Sequence, residues 1–234
     1  YLASLGAARI GEREMLALGA DVGWNMLGQF ADQWFDYSEQ LMISSIRRMP
    51  AGKSTTYSRH DPFPGAEEGI DVKVELEIRP EEGMIEVDLR DNPDCFPCGL
   101  NLSQACTESS VLLGIFNSIQ EDVPTNAGSL RRVKMHLREN CVVGIPRHPT
   151  SCSVATTNVA DRVGNSVARG IAELGDGHGM ASAGSIIPPS IGVISGTSEK
   201  TDGPYVNQIF LGWGGGAAGP LVDAWISIGH IGNA

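Results

Sequence analysis

"IDVKVELEIRPEEGMIEVDLR", residues 70–90, decides the fold. Ile70, Val72, Val74, Leu76 and Ile78 alternate with Asp71, Lys73, Glu75, Glu77 and Arg79. Successive side chains of a strand point to opposite faces, so one face of this segment meets a core and the other meets water. "PEEG" at 80–83 turns the chain, and Ile85, Val87 and Leu89 then alternate with Glu86, Asp88 and Arg90. The pattern predicts an antiparallel hairpin with one charged face.

The flanks of the hairpin read differently. Residues 7–49 predict helix, with Leu27, Ala31, Trp34, Ser38, Leu41 and Ser45 on one stripe. Gly19 and Gly23 divide that run, and "MPAG" at 49–52 ends it. Residues 102–119 return to helical spacing with Ala105, Leu112, Ile115, Phe116 and Ile119 inward, and Asn101 is the expected N-cap with Gln104 completing a capping box. "LRRVKMHL" at 130–137 reads as a strand, and "TNVADRVGNSVARGIAEL" sets Val159, Val163, Val167, Ile171 and Leu174 on one helical stripe. From Gly175 onward glycine dominates, which predicts short strands joined by tight turns. The expected class is therefore α+β, with antiparallel hairpins and glycine-rich strands packed against three to four helices. A helical segment spans 1–52 and an α+β core spans 53–234.

Composition narrows the function. The chain has 17 Lys and Arg against 28 Asp and Glu, a net charge of −11. An acidic surface repels phosphate backbones, so nucleic acid is excluded as a partner. No apolar run reaches the 18 residues that a membrane span needs. No signal-peptide pattern is present, and a cytoplasmic location is expected. The chain starts at Tyr1 in helix-like sequence and stops at "ISIGHIGNA", as an interior piece of a longer polypeptide would.

Five cysteines, Cys95, Cys98, Cys106, Cys141 and Cys152, lack framework spacing, so reduced thiols are expected. "DCFPCGLN" holds a CxxC, but Cys141 and Cys152 are not spaced as a second zinc pair. A redox CxxC opens a helix after a strand, whereas Gly99 and a turn follow this one. His178, in "GDGHGMASAG" beside Asp176, fits a general base or, as readily, an exposed loop residue. His60, His136, His148 and His230 are scattered, with no pair at i and i+4 to bind a metal. There is no GxSxG elbow, no P-loop and no dinucleotide fingerprint, and "GWGGG" at 212–216 lacks the Lys-Ser/Thr of a phosphate loop.

Several stretches, in this order, resemble the B-type subunits of the hydantoinase and oxoprolinase family, relatives of the acetone and acetophenone carboxylase large subunits. They are "AARIGEREML" at 7–16, "DYSEQ" at 36–40, "IRRMPAG" at 46–52, "IEVDLRD", "GLNLSQA" at 99–105, "DVPTNAGSLRRVKM" at 122–135, "SVATTNVADRVGNSVARGIAEL" at 153–174, "MASAG" and "LGWGGGAAG". The family's Pro-x-Asn-x-Gly element maps onto Pro124, Asn126 and Gly128. Proline fixes φ, and Asn and Gly tolerate left-handed backbone, so the stretch reads as a stiff connector.

The resemblance implies a subunit working with an A-type ATP-binding partner in a hetero-oligomer. ATP activates the oxygen of a lactam, imide or ketone, and the activated species is hydrolysed or carboxylated. It implies a cyclic amidohydrolase of the N-methylhydantoinase or 5-oxoprolinase type, with a ketone carboxylase subunit or a non-catalytic assembly module as alternatives. The family's divalent-metal ligands lie near an Asn-Asp-Pro segment that has no match here, since "HDPFPG" at 60–65 is not that segment, so the ligands are expected outside this chain. Where the family carries an Arg-Pro-Gly and an Asp-Gly, this chain has "GAAGPLVDAW", and Asp223 stands for the acid. The expected catalytic residues are Asp176, His178 and Asp223, with Asn101, Asn126 and Gly128 binding substrate.

Overall fold

The computed structural model describes residues 1–119, 121–153, 155–175, 177–181, 191–210, 218–220 and 223. The α+β expectation holds: among the described residues there are five α-helices, a four-stranded mixed sheet and a separate two-stranded hairpin. The first two helices, α1 (Leu2–Val22) and α2 (Trp24–Ile46), meet at Gly23. They are exposed along most of their length until the last turns of α2, where Ser38, Met42, Ile43, Ser45 and Ile46 are buried. Trp34 lies outside this buried face, 44% exposed and stacked on Tyr37 at 5.5 Å, so the expected stripe holds only beyond Ser38.

The main sheet orders β1 (Gly52–His60), β2 (Ile70–Arg79), β3 (Met84–Asp88) and β4 (Val133–His136) side by side. β1/β2 and β2/β3 are antiparallel, and β4 joins β3 in parallel. The hairpin turns through a single 3₁₀ turn, Pro80–Glu82, and then Gly83 in the left-handed region (φ 61). Ile70, Val72, Val74, Leu76, Ile78, Ile85, Val87 and Leu89 are all buried, as their alternation requires.

Two helices cover that apolar face: α3 (Gln104–Phe116) and α5 (Ala155–Ala172). Val159, Val163, Val167 and Ile171 of α5 are fully buried in the same core. α3 and α5 approach closely through small residues, since a Cβ on Gly114 would lie 2.5 Å from the Gly164 carbonyl oxygen. β1 was not legible as a strand because its inward face is hydroxylic. Thr56 Oγ1 donates to the Ser166 carbonyl (2.8 Å) and Ser58 Oγ to the Arg162 carbonyl (3.3 Å), joining strand to helix by hydrogen bonds rather than apolar contact.

The opposite face of the sheet is open and charged. Glu86 accepts from Arg79 Nη2 (2.8 Å), lies 3.4 Å from Lys134 Nζ and contacts His136 Nε2. These partners, His136 first and Arg79 next, hold its carboxyl down at about 2. A short helix, α4 (Ala127–Leu130), precedes β4 and packs on α2. The remaining strands, β5 (Ile191–Thr197) and β6 (Pro204–Phe210), form the antiparallel hairpin expected of the glycine-rich tail.

Candidate functional site

Three helices end at one corner of the molecule. Beyond α2, Met49 is buried and Pro50 lies against the segment after α5, since a Cβ on Gly175 would sit 3.1 Å from Pro50 Cβ. Beyond α3, the Ser118 carbonyl accepts from Gly179 N (3.4 Å). Glu121 ties the two sides together, accepting from Ser45 Oγ (2.7 Å) and from Arg48 Nε (2.7 Å). Burial opposes ionisation of Glu121, but the bonds from Ser45 and Arg48 outweigh it and hold its carboxyl below the ordinary value. Helix C-termini carry partial negative charge, so the corner favours a cation or a proton donor.

His178 stands in this corner, half-buried, with Nδ1 buried and without a hydrogen-bond partner. Its backbone is fixed by its neighbours. Gly179 adopts φ +73, and a Cβ there would lie 2.3 Å from Ala172 N. Met180 N donates to the Ala168 carbonyl (3.2 Å). The loop is thus clamped to the last turns of α5. Asp176 lies outside the described residues, and Asp223 is exposed.

Asn126 is the N-cap of α4. Its Oδ1 accepts from Gly128 N (2.9 Å), while Ser129 Oγ accepts from Asn126 N (3.2 Å) to close a capping box. Asn126 Nδ2 donates to Ser38 Oγ (2.7 Å), which donates on to the Trp34 carbonyl (2.8 Å). Gly128 presses directly on α2, where a Cβ would fall 1.9 Å from the Phe35 carbonyl oxygen. Arg131 pairs with Asp36 (2.9 Å) and Glu39 (2.8 Å) beside this contact. The Pro-x-Asn-x-Gly element is therefore a helix clamp.

Asn101 is fully buried near the other end of α3. Its Oδ1 accepts from Phe96 N (2.8 Å), and its Nδ2 faces the carbonyls of Phe96 (2.9 Å), Cys98 (2.8 Å) and Ser151 (3.0 Å). The N-cap of α3 is Ser103, whose side chain accepts from Cys106 N (3.3 Å), which corrects the expectation for Asn101. α3 has 13 residues, so Asn101 and His178 stand roughly 20 Å apart along it. The structure does not bring them together.

One acid had no signal in the sequence. Asp161 of α5 accepts from Asn165 Nδ2 (3.0 Å) on one oxygen, while the other is buried without a hydrogen bond. Burial pushes its carboxyl above the ordinary range. In the sequence it stands in a mixed polar and apolar run between Val159 and Val163, where nothing singles it out. Among the described residues, no group of three or more His, Cys, Asp or Glu is arranged to hold a metal ion. No described helix is long and apolar enough to cross a membrane.

The family model for hydantoinase B/oxoprolinase matches residues 1–233. The chain belongs to that family. Among solved structures, this hydantoinase B/oxoprolinase chain is similar to an ATP-dependent caprolactamase from Pseudomonas jessenii at 20% identity and TM-score 0.76, over 96% of this chain and 38% of that one. It is also similar to a nucleotide-free acetone carboxylase at 14% identity and TM-score 0.62, over 94% of this chain and 32% of that one. At such identities the likeness is one of fold, and the chain spans well under half the length of either neighbour. No curated protein matches the sequence.

Proposed function

We propose that this chain is the central part of a B-type subunit in an ATP-dependent enzyme that hydrolyses a ring C–N bond of a lactam or imide. The substrate class is that of N-methylhydantoinase and 5-oxoprolinase. The observation that carries the reading is the family match across residues 1–233. The fold shared with an ATP-dependent caprolactamase supports the cyclic amide as substrate.

A cyclic amide resists water because its nitrogen donates into the carbonyl. ATP, bound by an A-type partner subunit in a cytoplasmic hetero-oligomer, would supply a phosphoryl group to the carbonyl oxygen outside the ring; water would then add to the activated carbon, the C–N bond would break as the nitrogen takes a proton, and a second water would hydrolyse the acyl phosphate so formed to carboxylate and phosphate. His178 handles the proton, taking it from the attacking water or giving it to the departing nitrogen. Asp176 and Asp223 are further acid–base candidates. Asn101, Asn126 and Gly128 serve the substrate through the loop and helix they fix. The divalent metal is proposed to be held by ligands outside this chain.

A second reading, a ketone carboxylase subunit, draws on the acetone carboxylase fold. A third makes the chain a non-catalytic assembly module, which would still bind the partner. Incubating the full-length subunit with its ATP-binding partner, ATP and a panel of lactams and imides separates these readings. Ring-opened amino acid in the complete mixture is expected. Turnover that requires ketone and bicarbonate together would replace the first reading with the second.

A further inference from the structure

α1 stands almost bare. Only Gly19 of its 21 residues is buried, and among the described elements its main packing neighbour is α2 at the Gly23 bend. It has no side-chain bond at its N-cap Tyr1, no acid in its first turn and no base in its last. Helices in proteins draw most of their stability from a packed apolar face rather than from propensity. α1 has such a face and nothing in this chain on it. Ser4, Ala8, Gly11, Met15, Leu18 and Val22 follow at steps of four, three, four, three and four, the spacing of a coiled-coil seam. All six are exposed and none is charged.

The seam is small in its first half and large in its second. Laid antiparallel on itself about Arg13, it sets Val22 against Ser4, Leu18 against Ala8 and Met15 against Gly11. Every large side chain then faces a small one, as close packing of two helices requires. A parallel pair would set large on large at one end and leave a void at the other. Gly11 is an independent sign. A Cβ there would meet nothing within 4 Å, so no neighbour in this chain demands a glycine where alanine would favour the helix. Met15 of a second copy, lying across it, does demand one.

The same register brings Leu2 and Leu5 of one copy to Trp24 of the other, whose ring lies over Gly19. Covering Leu2, Leu5, Met15, Leu18, Val22 and Trp24 would bury on the order of 700 Å² per copy, near the roughly 800 Å² per partner of a stable interface. Charge permits it. The chain carries −11, but α1 holds Arg9 and Arg13 against Glu12, Glu14 and Asp21, two bases to three acids. Two copies therefore meet here with little of the repulsion between their acidic bodies.

We propose that α1 is a self-association helix, pairing antiparallel with α1 of a second copy of this chain in a two-fold dimer. The pairing is independent of the chemistry assigned to the chain. Glu12 of each copy flanks the axis, so salt, which screens like charges, tightens the dimer.

Sedimentation velocity of the full-length protein over a range of concentrations tests it, with circular dichroism to check folding. The parent should have the mass of a dimer. Ala8→Arg and Leu18→Glu should each weaken dimerisation about a hundredfold or more, because each buries an unpaired charge at both ends of the seam. Leu18→Ala, a milder change, should weaken it about tenfold. Ala8→Arg and Leu18→Glu proteins mixed in equal amounts should dimerise again, since the new arginine of one faces the new glutamate of the other. A monomeric parent, single variants that dimerise as tightly as the parent, a mixture that stays monomeric, or a dimer loosened by salt would each overturn the proposal. So would variants that lose thermal stability while keeping the parent's mass, the sign that another part of the same polypeptide covers α1.

Discussion

Gly128→Ala is the sharpest probe of the clamp between α4 and α2. The new Cβ would fall 1.9 Å from the Phe35 carbonyl oxygen and 2.5 Å from its carbonyl carbon, against an ordinary contact of 3.4 Å or more. α4 must therefore retreat by about 1.5 Å, the difference between those distances. That retreat stretches the 2.7 Å bond from Asn126 Nδ2 to Ser38 Oγ beyond hydrogen-bonding range. The lost bond costs about 1 kcal/mol and the overpacking about 1–3 kcal/mol. Replacing glycine with alanine in a helix returns up to about 1 kcal/mol, leaving a net loss of about 1–3 kcal/mol. For a chain of this size the melting temperature should fall by roughly 2–4 °C for each kcal/mol. Urea unfolding and calorimetry of the full-length protein measure it. A double-mutant cycle of Asn126→Ala with Ser38→Ala should show a coupling of at least about 0.5 kcal/mol. A Gly128→Ala protein as stable as its parent, or an uncoupled pair, would refute the clamp.

Other substitutions address separate parts of the account. His178→Ala in the complete enzyme should lower turnover by about a hundredfold or more while leaving the melting temperature unchanged, and an unchanged rate removes it from the proton-handling role. Asn101→Ala strands Phe96 N in the interior and should destabilise by about 3 kcal/mol, read by denaturant midpoint. Glu86 gives a pH signature. Its carboxyl is depressed from 4.5 to about 2, so its stabilising contribution is full above 4.5 and is lost as pH falls toward 2. Glu86→Gln should flatten that acid loss, and parallel acid-unfolding curves for the two proteins would contradict it.

What the sequence disclosed, and what it hid, follows from which contacts are apolar. The 70–90 hairpin and the valine stripe of α5 were readable because hydrophobic period alone builds them. β1 escaped because Ser54, Thr56 and Ser58 face inward, and hydroxyl-to-backbone bonds leave no hydrophobic trace. Trp34 misled the reading of α2 because an exposed aromatic and a buried one look alike in a string. The cap of α3 slipped by two residues since Asn and Ser are both good N-caps, and only the structure shows Asn101 spent on the 96–98 loop. Of the candidate site, His178 was legible from its glycine-rich setting. The Ser45, Arg48 and Glu121 bonds were not, because they form only when the end of α2 meets the chain that leaves α3. Asn126 and Gly128 were visible as a constrained element, but their contact with α2 spans 88 residues between Ser38 and Asn126.

The most direct test of the proposed function follows ADP and ring-opened amino acid together, using the full-length protein, the proposed ATP-binding partner and a cyclic amide, with each component omitted in turn. The account predicts that both products appear in equal amounts, only in the complete mixture and without bicarbonate. Ring opening by this subunit alone, or in the absence of ATP, would contradict it.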